Sequence, residues 1–263
     1  MTYPNPFVAA ADRYARGRPY HHARTLRRAL AGWAPRAALD VACGTGLSTR
    51  GLAELGIAAV GVDVAPAMVA RARADTGLPY AVAAAEALPL AAGTVELVTV
   101  GSGVHWFDQE RFAAEAVRVL RPGGALLLYE HAGAAVADPA FAEWMRGTYL
   151  AQFPAPPRGA LAAEFPEDGR FALAATGRWP DVVPMSRVEF AAYLATQSNV
   201  AEEPPERIRD WFMAELAPFF RGDGPQPVTF QASYRLLHSG ASESGRGAAA
   251  GAAAAGSEGS APA

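Results

Sequence analysis

Residues 38–49 read ALDVACGTGLST, and this stretch decides the fold. It begins as an apolar run of strand length and ends in residues that can open a helix. Between them lie Asp40 and two glycines, Gly44 and Gly46. Glycine tolerates positive φ and lets a ligand approach the backbone with no Cβ in the way. Because amide groups at a helix start carry partial positive charge, the turn predicts a site for a carboxylate or a phosphate.

Three further segments extend this strand–turn–helix pattern. A second predicted strand, residues 57–62, ends at Asp63, which is placed to accept hydrogen bonds from both hydroxyls of a ribose. A third short strand, residues 79–84, precedes the turn AEALPL at 85–90. A fourth strand, residues 95–100, leads into GSGVHWFD at 101–108. Ligands in open α/β sheets bind beyond the carboxyl ends of the strands, so we expect the 101–108 loop to face the ligand.

These motifs together resemble a known family. Asp40 precedes Gly44 by four residues, and Thr49 stands where a dinucleotide-binding fingerprint has its third glycine. This arrangement resembles motif I of the class I S-adenosylmethionine-dependent methyltransferases. The strings HWFD and EAVRVLRPGG (residues 115–124) resemble the type 11 methyltransferase domain, and within it the trans-aconitate methyltransferase-like enzymes that act on small molecules. The resemblance covers residues 14–130 well and the rest loosely.

The resemblance implies a fold, a cofactor and a set of site residues. The expected fold is a Rossmann-like three-layer α/β sandwich whose seven-stranded sheet is mostly parallel with an antiparallel last strand. The expected cofactor is S-adenosylmethionine. The residues expected to contact it are Asp40, Ala42, Gly44, Gly46, Asp63, Val64, Met68, Ala85, Glu86, Ala87 and Gly101.

On the acceptor side, position in the resembling fold favours His105 and Trp106, with Tyr20 closing the cleft from an N-terminal cover. His105 is the candidate catalytic residue, because histidine can take up a proton near neutral pH. If the acceptor is a carboxylate, already a nucleophile, His105 would only orient it. Trp106 either stacks on the acceptor or cofactor, or is a buried structural residue.

Composition disfavours several other classes. The net charge is −3 and the basic residues are dispersed, which disfavours a nucleic-acid partner. There is one cysteine, Cys43, and no Cys/His cluster at metal spacing, so neither an internal disulfide nor a metal site is expected. No apolar run reaches membrane-spanning length and no signal-peptide pattern is seen, so a cytoplasmic protein is expected.

The chain divides into one predicted domain and a tail. Residues 1–238 are expected to form the methyltransferase domain, with the N-terminal cover and a lid insert at about 131–200. A sixth strand is predicted at 182–186 and a final one at 228–237. Residues 239–263 are Gly/Ala/Ser low complexity and are expected to be disordered and dispensable.

The predicted function is methyl transfer from S-adenosylmethionine to a small-molecule acceptor, with oxygen of a carboxylate or hydroxyl as the favoured acceptor atom. A methyltransferase on another atom or on a macromolecule stays open, as does a non-catalytic cofactor-binding module. An NAD-dependent oxidoreductase is disfavoured, because the third glycine and a hydride-transfer apparatus are missing. The sequence does not address the oligomeric state.

Overall fold

A seven-stranded mixed sheet forms the centre of the molecule. The computed structural model describes residues 11–154, 165, 168–200, 203–222 and 224–240. The strands lie in the order β3-β2-β1-β4-β5-β7-β6. β7 is antiparallel to both of its neighbours, and β1 to β5 are parallel to one another. The strands are β1 (Ala37–Val41), β2 (Ala58–Asp63), β3 (Tyr80–Val82), β4 (Val95–Gly101), β5 (Leu120–Val136), β6 (Phe171–Met185) and β7 (Gln226–Ser239). The predicted fold class is confirmed.

Helices begin at recognisable start signals. Pro66 begins its helix, Asp108 caps another by accepting a hydrogen bond from Arg111 N, and Ser186 forms a reciprocal capping box with Glu189. The helices are α1 (Ala11–Gly17), α2 (His22–Ala29), α3 (Leu47–Glu54), α4 (Pro66–Thr76), α5 (Gln109–Val119), α6 (Pro139–Trp144), α7 (Leu150–Gln152), α8 (Arg187–Leu194) and α9 (Pro205–Glu215). None of those within the described ranges has the length and apolar character needed to span a bilayer.

The sheet is buried on both faces, which makes three layers. On one face Leu39, Val98 and Leu126 pack with Phe112 of α5. On the other face the core contains Leu26 of α2, Leu52 of α3, Leu97 and Leu127. Alternate residues of the central strands therefore point to opposite helical layers, as the strand period of two requires.

A second apolar core lies under the segments that follow β5. Aromatic side chains from α6, α8, α9 and β7 meet there, among them Phe141, Trp144, Phe190, Phe212 and Phe230. The helical spacing of aromatics in the sequence is thus explained by packing. These residues connect the predicted insert to the last strand of the sheet.

The last two strands are longer than predicted. β6 pairs with β7 from Phe171 opposite Ser239 to Met185 opposite Gln226. β6 is an edge strand, so Pro180 and Pro184 are tolerated and the apolar pattern that marks a central strand is absent. Ser239, the first residue of the predicted tail, belongs to β7. Residues 241–263 of that tail, and residues 1–10, lie outside the described residues.

The turn after β1 is fixed by a buried carboxylate. Asp40 is fully buried, and its Oδ2 accepts hydrogen bonds from Ser48 Oγ at 2.5 Å and Thr49 Oγ1 at 2.6 Å. Its Oδ1 accepts one from Thr99 Oγ1 of β4 at 2.9 Å. Gly46 has φ +84°, and a Cβ there would lie 2.4 Å from the Tyr80 hydroxyl, so glycine is required. Burial raises the pKa of Asp40 to about 6 against the opposing effect of these three hydrogen bonds.

We expect Asp40→Asn to change how stability depends on pH. The folded-state pKa is above the ordinary 3.8, so the folded state binds the proton more tightly. Asp40 therefore makes its full contribution to the free energy of unfolding below pH 3.8. That contribution falls by about 3 kcal/mol as the pH rises to about 6. Asparagine keeps the side-chain shape and an acceptor oxygen for Ser48 and Thr49, and it does not titrate.

Denaturant unfolding of the wild type and Asp40→Asn, measured across this pH range, checks the expectation. The wild type should lose stability relative to the variant as pH rises. A difference that is flat, or that changes with the opposite sign, would show that Asp40 is ionised without penalty in the fold.

Candidate active site

A cleft of about 760 Å³ opens at the carboxyl ends of the parallel strands. This size falls within the range of small-molecule and cofactor sites. Most of the predicted cofactor residues line it, namely Ala42, Gly44, Asp63, Val64, Met68, Ala85, Glu86 and Gly101. They come from four separate segments, which the parallel sheet brings to one edge.

Asp63 joins the second strand to the glycine turn. Its Oδ2 accepts a hydrogen bond from Gly44 N at 2.9 Å, and its Oδ1 accepts one from Ala65 N at 2.9 Å. Burial raises the pKa of Asp63, while these backbone N–H groups oppose the rise. Each carboxylate oxygen can accept a second hydrogen bond. Asp63 can therefore hold the turn and still bind hydroxyl groups of a ligand in the cleft.

Three predicted cofactor residues do not line the cleft. Asp40 lies beneath the turn, bonded to Ser48, Thr49 and Thr99, so it positions the turn and does not touch a ligand. Gly46 faces Tyr80. Ala87 is exposed, and its N–H closes a turn by donating to Ala84 O.

Glu86 ties the two loops of the cleft together. Its Oε1 accepts a hydrogen bond from Asp108 N at 2.8 Å. Asp108 in turn caps α5 through Arg111 N. The predicted AEALPL turn is therefore fastened to the loop that carries His105 and Trp106.

His105 and Trp106, the residues predicted for the acceptor side, both line the cleft. They lie in a short 3₁₀ turn, Val104–Trp106, with ring centroids 5.4 Å apart. Trp106 is 37 % exposed, which is unusual for a large aromatic side chain and places its ring at the mouth of the cleft.

Tyr20 does not line the cleft. Its ring lies under the guanidinium of Arg50, 3.8 Å from the centroid, and packs on α3. From the N-terminal segment, Tyr14 and Arg18 enter the cleft instead. Arg18 stacks on the rings of Tyr14 and Tyr193, and its buried Nε has no hydrogen-bond partner among the described residues. The prediction for Tyr20 is therefore corrected in favour of Tyr14 and Arg18.

A smaller cavity of about 50 Å³ adjoins the cleft and contains side chains that sequence reasoning missed. The two spaces share Arg18, Gly44, Gly101 and His131. His21 and His22 also line the smaller one. The only sequence signal was the dipeptide His21-His22, since their partners are distant in the chain.

Hydrogen bonds connect these histidines to distant strands. His21 Nδ1 lies 2.8 Å from Asp181 Oδ2, and His22 Nδ1 lies 2.8 Å from the Tyr129 hydroxyl. Burial lowers the pKa of His22 to about 3 and that of His131 to about 2, so both are neutral at neutral pH. Burial also lowers the pKa of His21, against the opposing effect of Asp181.

Comparison with known proteins decides the family. Residues 39–128 match the family model described as a methyltransferase domain. This part of the chain is a methyltransferase domain. The family that the sequence motifs indicated is thus confirmed, and its members use S-adenosylmethionine as methyl donor. The narrower likeness to trans-aconitate methyltransferase-like enzymes stays a prediction.

Relatives and solved structures agree with this result. The chain is 41 % identical over 123 residues to an uncharacterised methyltransferase of Mycobacterium tuberculosis, covering 46 % of this chain and 49 % of the relative. It is 40 % identical over 120 residues to the ubiquinone/menaquinone biosynthesis C-methyltransferase of Acidiphilium cryptum, covering 41 % and 48 %. The chain thus spans about half the length of these relatives.

One solved structure matches over a greater length. It comes from Anaeromyxobacter dehalogenans and is provisionally described as a type II methyltransferase. It superposes with a TM-score of 0.67 at 28 % identity, over 83 % of this chain and 97 % of that one. The fold likeness therefore extends well beyond residues 39–128.

Proposed function

We propose that this protein transfers a methyl group from S-adenosylmethionine to the oxygen of a small-molecule acceptor. The observation that carries the proposal is the Asp63 carboxylate at the cleft wall, bonded to Gly44 N of the glycine turn. An acid at the end of the second strand beside a glycine turn suits an adenosine group. The methyltransferase domain match supplies the chemistry.

The residues present fit this cofactor. Asp63 would bind the ribose hydroxyls, and Ala85 and Glu86 would lie beside the adenine. Gly44 leaves the backbone open to the amino-acid end of the cofactor. Arg18 lines both spaces beside Gly44, and its buried Nε has no partner among the described residues. We assign Arg18 to the carboxylate of the cofactor, since a guanidinium with an unpaired, buried Nε favours an anionic partner.

Bound S-adenosylmethionine supplies an electrophilic methyl group on a positively charged sulfur. The protein then has to orient the acceptor and exclude water, and orientation alone accounts for up to about 7–11 kcal/mol in well-aligned reactions. His105 and Trp106 form the wall where the acceptor would be held. The net charge of −3 favours a small molecule over a nucleic acid.

Carbon is the second candidate acceptor atom. The Acidiphilium cryptum relative is named as a C-methyltransferase, and this chain is 40 % identical to it over 120 residues. Oxygen is preferred because His105 lines the cleft and His21 lines the adjoining cavity, and an imidazole can take a proton from a hydroxyl group.

Asp63→Ala should weaken S-adenosylmethionine binding at least about tenfold. The variant loses charge-assisted hydrogen bonds of about 1.5–3 kcal/mol, measurable by titration calorimetry. Asp75→Ala is the matched control, because Asp75 is an exposed acid on α4 that pairs with Arg71. Unchanged affinity in a folded Asp63→Ala protein would contradict the ribose assignment.

The proposed reaction is tested by separate titrations with S-adenosylmethionine and NAD, followed by turnover assays. We expect S-adenosylmethionine to bind and NAD not to bind. S-Adenosylhomocysteine should form with small hydroxyl or carboxylate acceptors, and a methylated carbon or nitrogen in the product would reassign the acceptor atom. Binding of NAD without S-adenosylmethionine would refute the proposal.

A further inference from the structure

A buried histidine–carboxylate pair lies next to the cleft. His21 Nδ1 is 2.8 Å from Asp181 Oδ2, and Arg24 is 2.7 Å from the other oxygen, Asp181 Oδ1. His21 is 5 % exposed and Asp181 is 4 % exposed. The pair joins the start of α2 to the edge strand β6, at a distance of 160 residues in the chain. A carboxylate can only accept here, so Nδ1 carries the proton and Nε2 has the free lone pair.

The ring of His21 is held in one orientation. It stacks on His131 with centroids 4.3 Å apart and meets the edge of Phe230 at 4.8 Å. Within the described part of the chain, Nε2 of His21 makes no hydrogen bond. A fixed imidazole whose Nδ1 is bonded to a carboxylate is the arrangement of a positioned proton acceptor.

The space beside this ring is small. His21 and His131 line the cavity of about 50 Å³, which meets the cleft at Gly44, Gly101 and Ser102. A water needs about 10–15 Å³ of such volume, so the cavity has room for a hydroxyl group and a few waters but is too small for a whole acceptor. The rest of the acceptor would stay in the larger cleft.

We propose that His21, oriented by Asp181, accepts the proton of a neutral hydroxyl group on the acceptor, a phenol or an enol. This proposal rests on the proposed methyltransferase function. The acceptor oxygen forms a bond to the methyl carbon as the methyl–sulfur bond breaks, and that electron pair stays on the sulfur of S-adenosylhomocysteine. The hydroxyl proton moves to His21 Nε2, and the resulting imidazolium is paired with the Asp181 carboxylate. Solvent later removes the proton.

The charges around His21 agree with this role. Asp181 of β6 favours the protonated ring, whereas Arg24 of α2 and Arg18 after α1 disfavour it. The neighbouring imidazoles belong to His22 of α2 and His131 of β5. Burial keeps His22 and His131 neutral, as described above. His21 is therefore neutral before the reaction, and one directly bonded carboxylate stabilises its charged form afterwards.

The same groups are less suited to a metal ion. One ligand atom each from His21, His131 and Asp181 lies within 4.8 Å of the others. However, Asp181 is already paired with the Arg24 guanidinium, and His131 Nε2 is hydrogen-bonded to Thr25 Oγ1 at 2.8 Å. A cation would have to displace both partners and lie close to the charge of Arg24.

His21→Gln tests the proposal with two acceptors of different acidity. Glutamine keeps a polar side chain but cannot act as a base near neutral pH. With phenol, which is un-ionised, we expect S-adenosylhomocysteine formation to fall at least about 100-fold. With 4-nitrophenol above neutral pH, where it is already ionised, the loss should be only a few-fold. His238→Gln, on β7 beside Trp33, is the matched control.

A second measurement does not depend on turnover. Nitrogen NMR of the imidazoles in the S-adenosylhomocysteine complex should show His21 with a proton on Nδ1 and none on Nε2 at pH 7. Asp181→Asn should change this signal and lower turnover with phenol more than with 4-nitrophenolate. Asp181 is thus tested as a positioning residue.

Several results would overturn the proposal. The first is a loss of turnover in His21→Gln that is equal for both phenols, or no loss with either. The others are methylation of carboxylic acids or amines alone, a protonated Nε2 on His21, and tight binding of one Zn²⁺ that Asp181→Asn abolishes. If S-adenosylmethionine fails to bind at all, the proposed function fails. The NMR signal of the ligand-free protein then still decides the state of His21.

Discussion

The buried Asp40 carboxylate is the interaction on which the rest of the structure depends. Three hydroxyl groups, from Ser48 and Thr49 of α3 and Thr99 of β4, converge on it from two elements. They fix the position of α3 relative to β1 and β4, and so hold the glycine turn between them. Burying this carboxylate is unfavourable, as its raised pKa shows, and the hydrogen bonds offset part of that penalty. The part of the desolvation penalty that is not offset is the energetic cost of holding the turn in place.

From this anchored turn, hydrogen bonds connect the walls of the cleft in sequence. Gly44 N donates to Asp63 at the end of β2, and Asp108 N donates to Glu86 from the following loop. Each contact joins segments about 20 residues apart, so the cleft is assembled from neighbouring turns at one sheet edge. On the other side, the Asp181–His21 pair joins the edge strand to the N-terminal helices. The Gly44–Asp63 and Asp108–Glu86 contacts are thus local, whereas the Asp181–His21 contact joins segments 160 residues apart.

This difference explains what the sequence could predict. Short motifs contain Gly44, Asp63 and Glu86, and local backbone geometry there determines where each residue lies. The structure places all three in the cleft. Asp40 was predicted as a ligand-contacting residue, because one sequence cannot show whether an acid lies above or beneath a turn. The β1 register opposite Thr99 decides that question.

The His21–Asp181 pair could not be predicted from the sequence. Asp181 lies in an edge strand with little apolar pattern, and its pairing opposite Phe230 of β7 brings it to His21. No local sequence pattern predicts this pairing of Asp181 with Phe230. Tyr20 was assigned to the cleft from its place in the N-terminal segment, but stacking under Arg50 turns it towards α3. Its neighbour Arg18 enters the cleft instead.

The most direct test of this account is an experimental structure of the protein with S-adenosylhomocysteine bound. We expect both ribose hydroxyls on Asp63, the adenine beside Ala85 and Glu86, and the amino-acid end at Gly44 and Arg18. The ligand sulfur would then face the region formed by His105 in the cleft and by the adjoining cavity that His21 lines. A ligand bound elsewhere, or one whose ribose does not reach Asp63, would contradict the account.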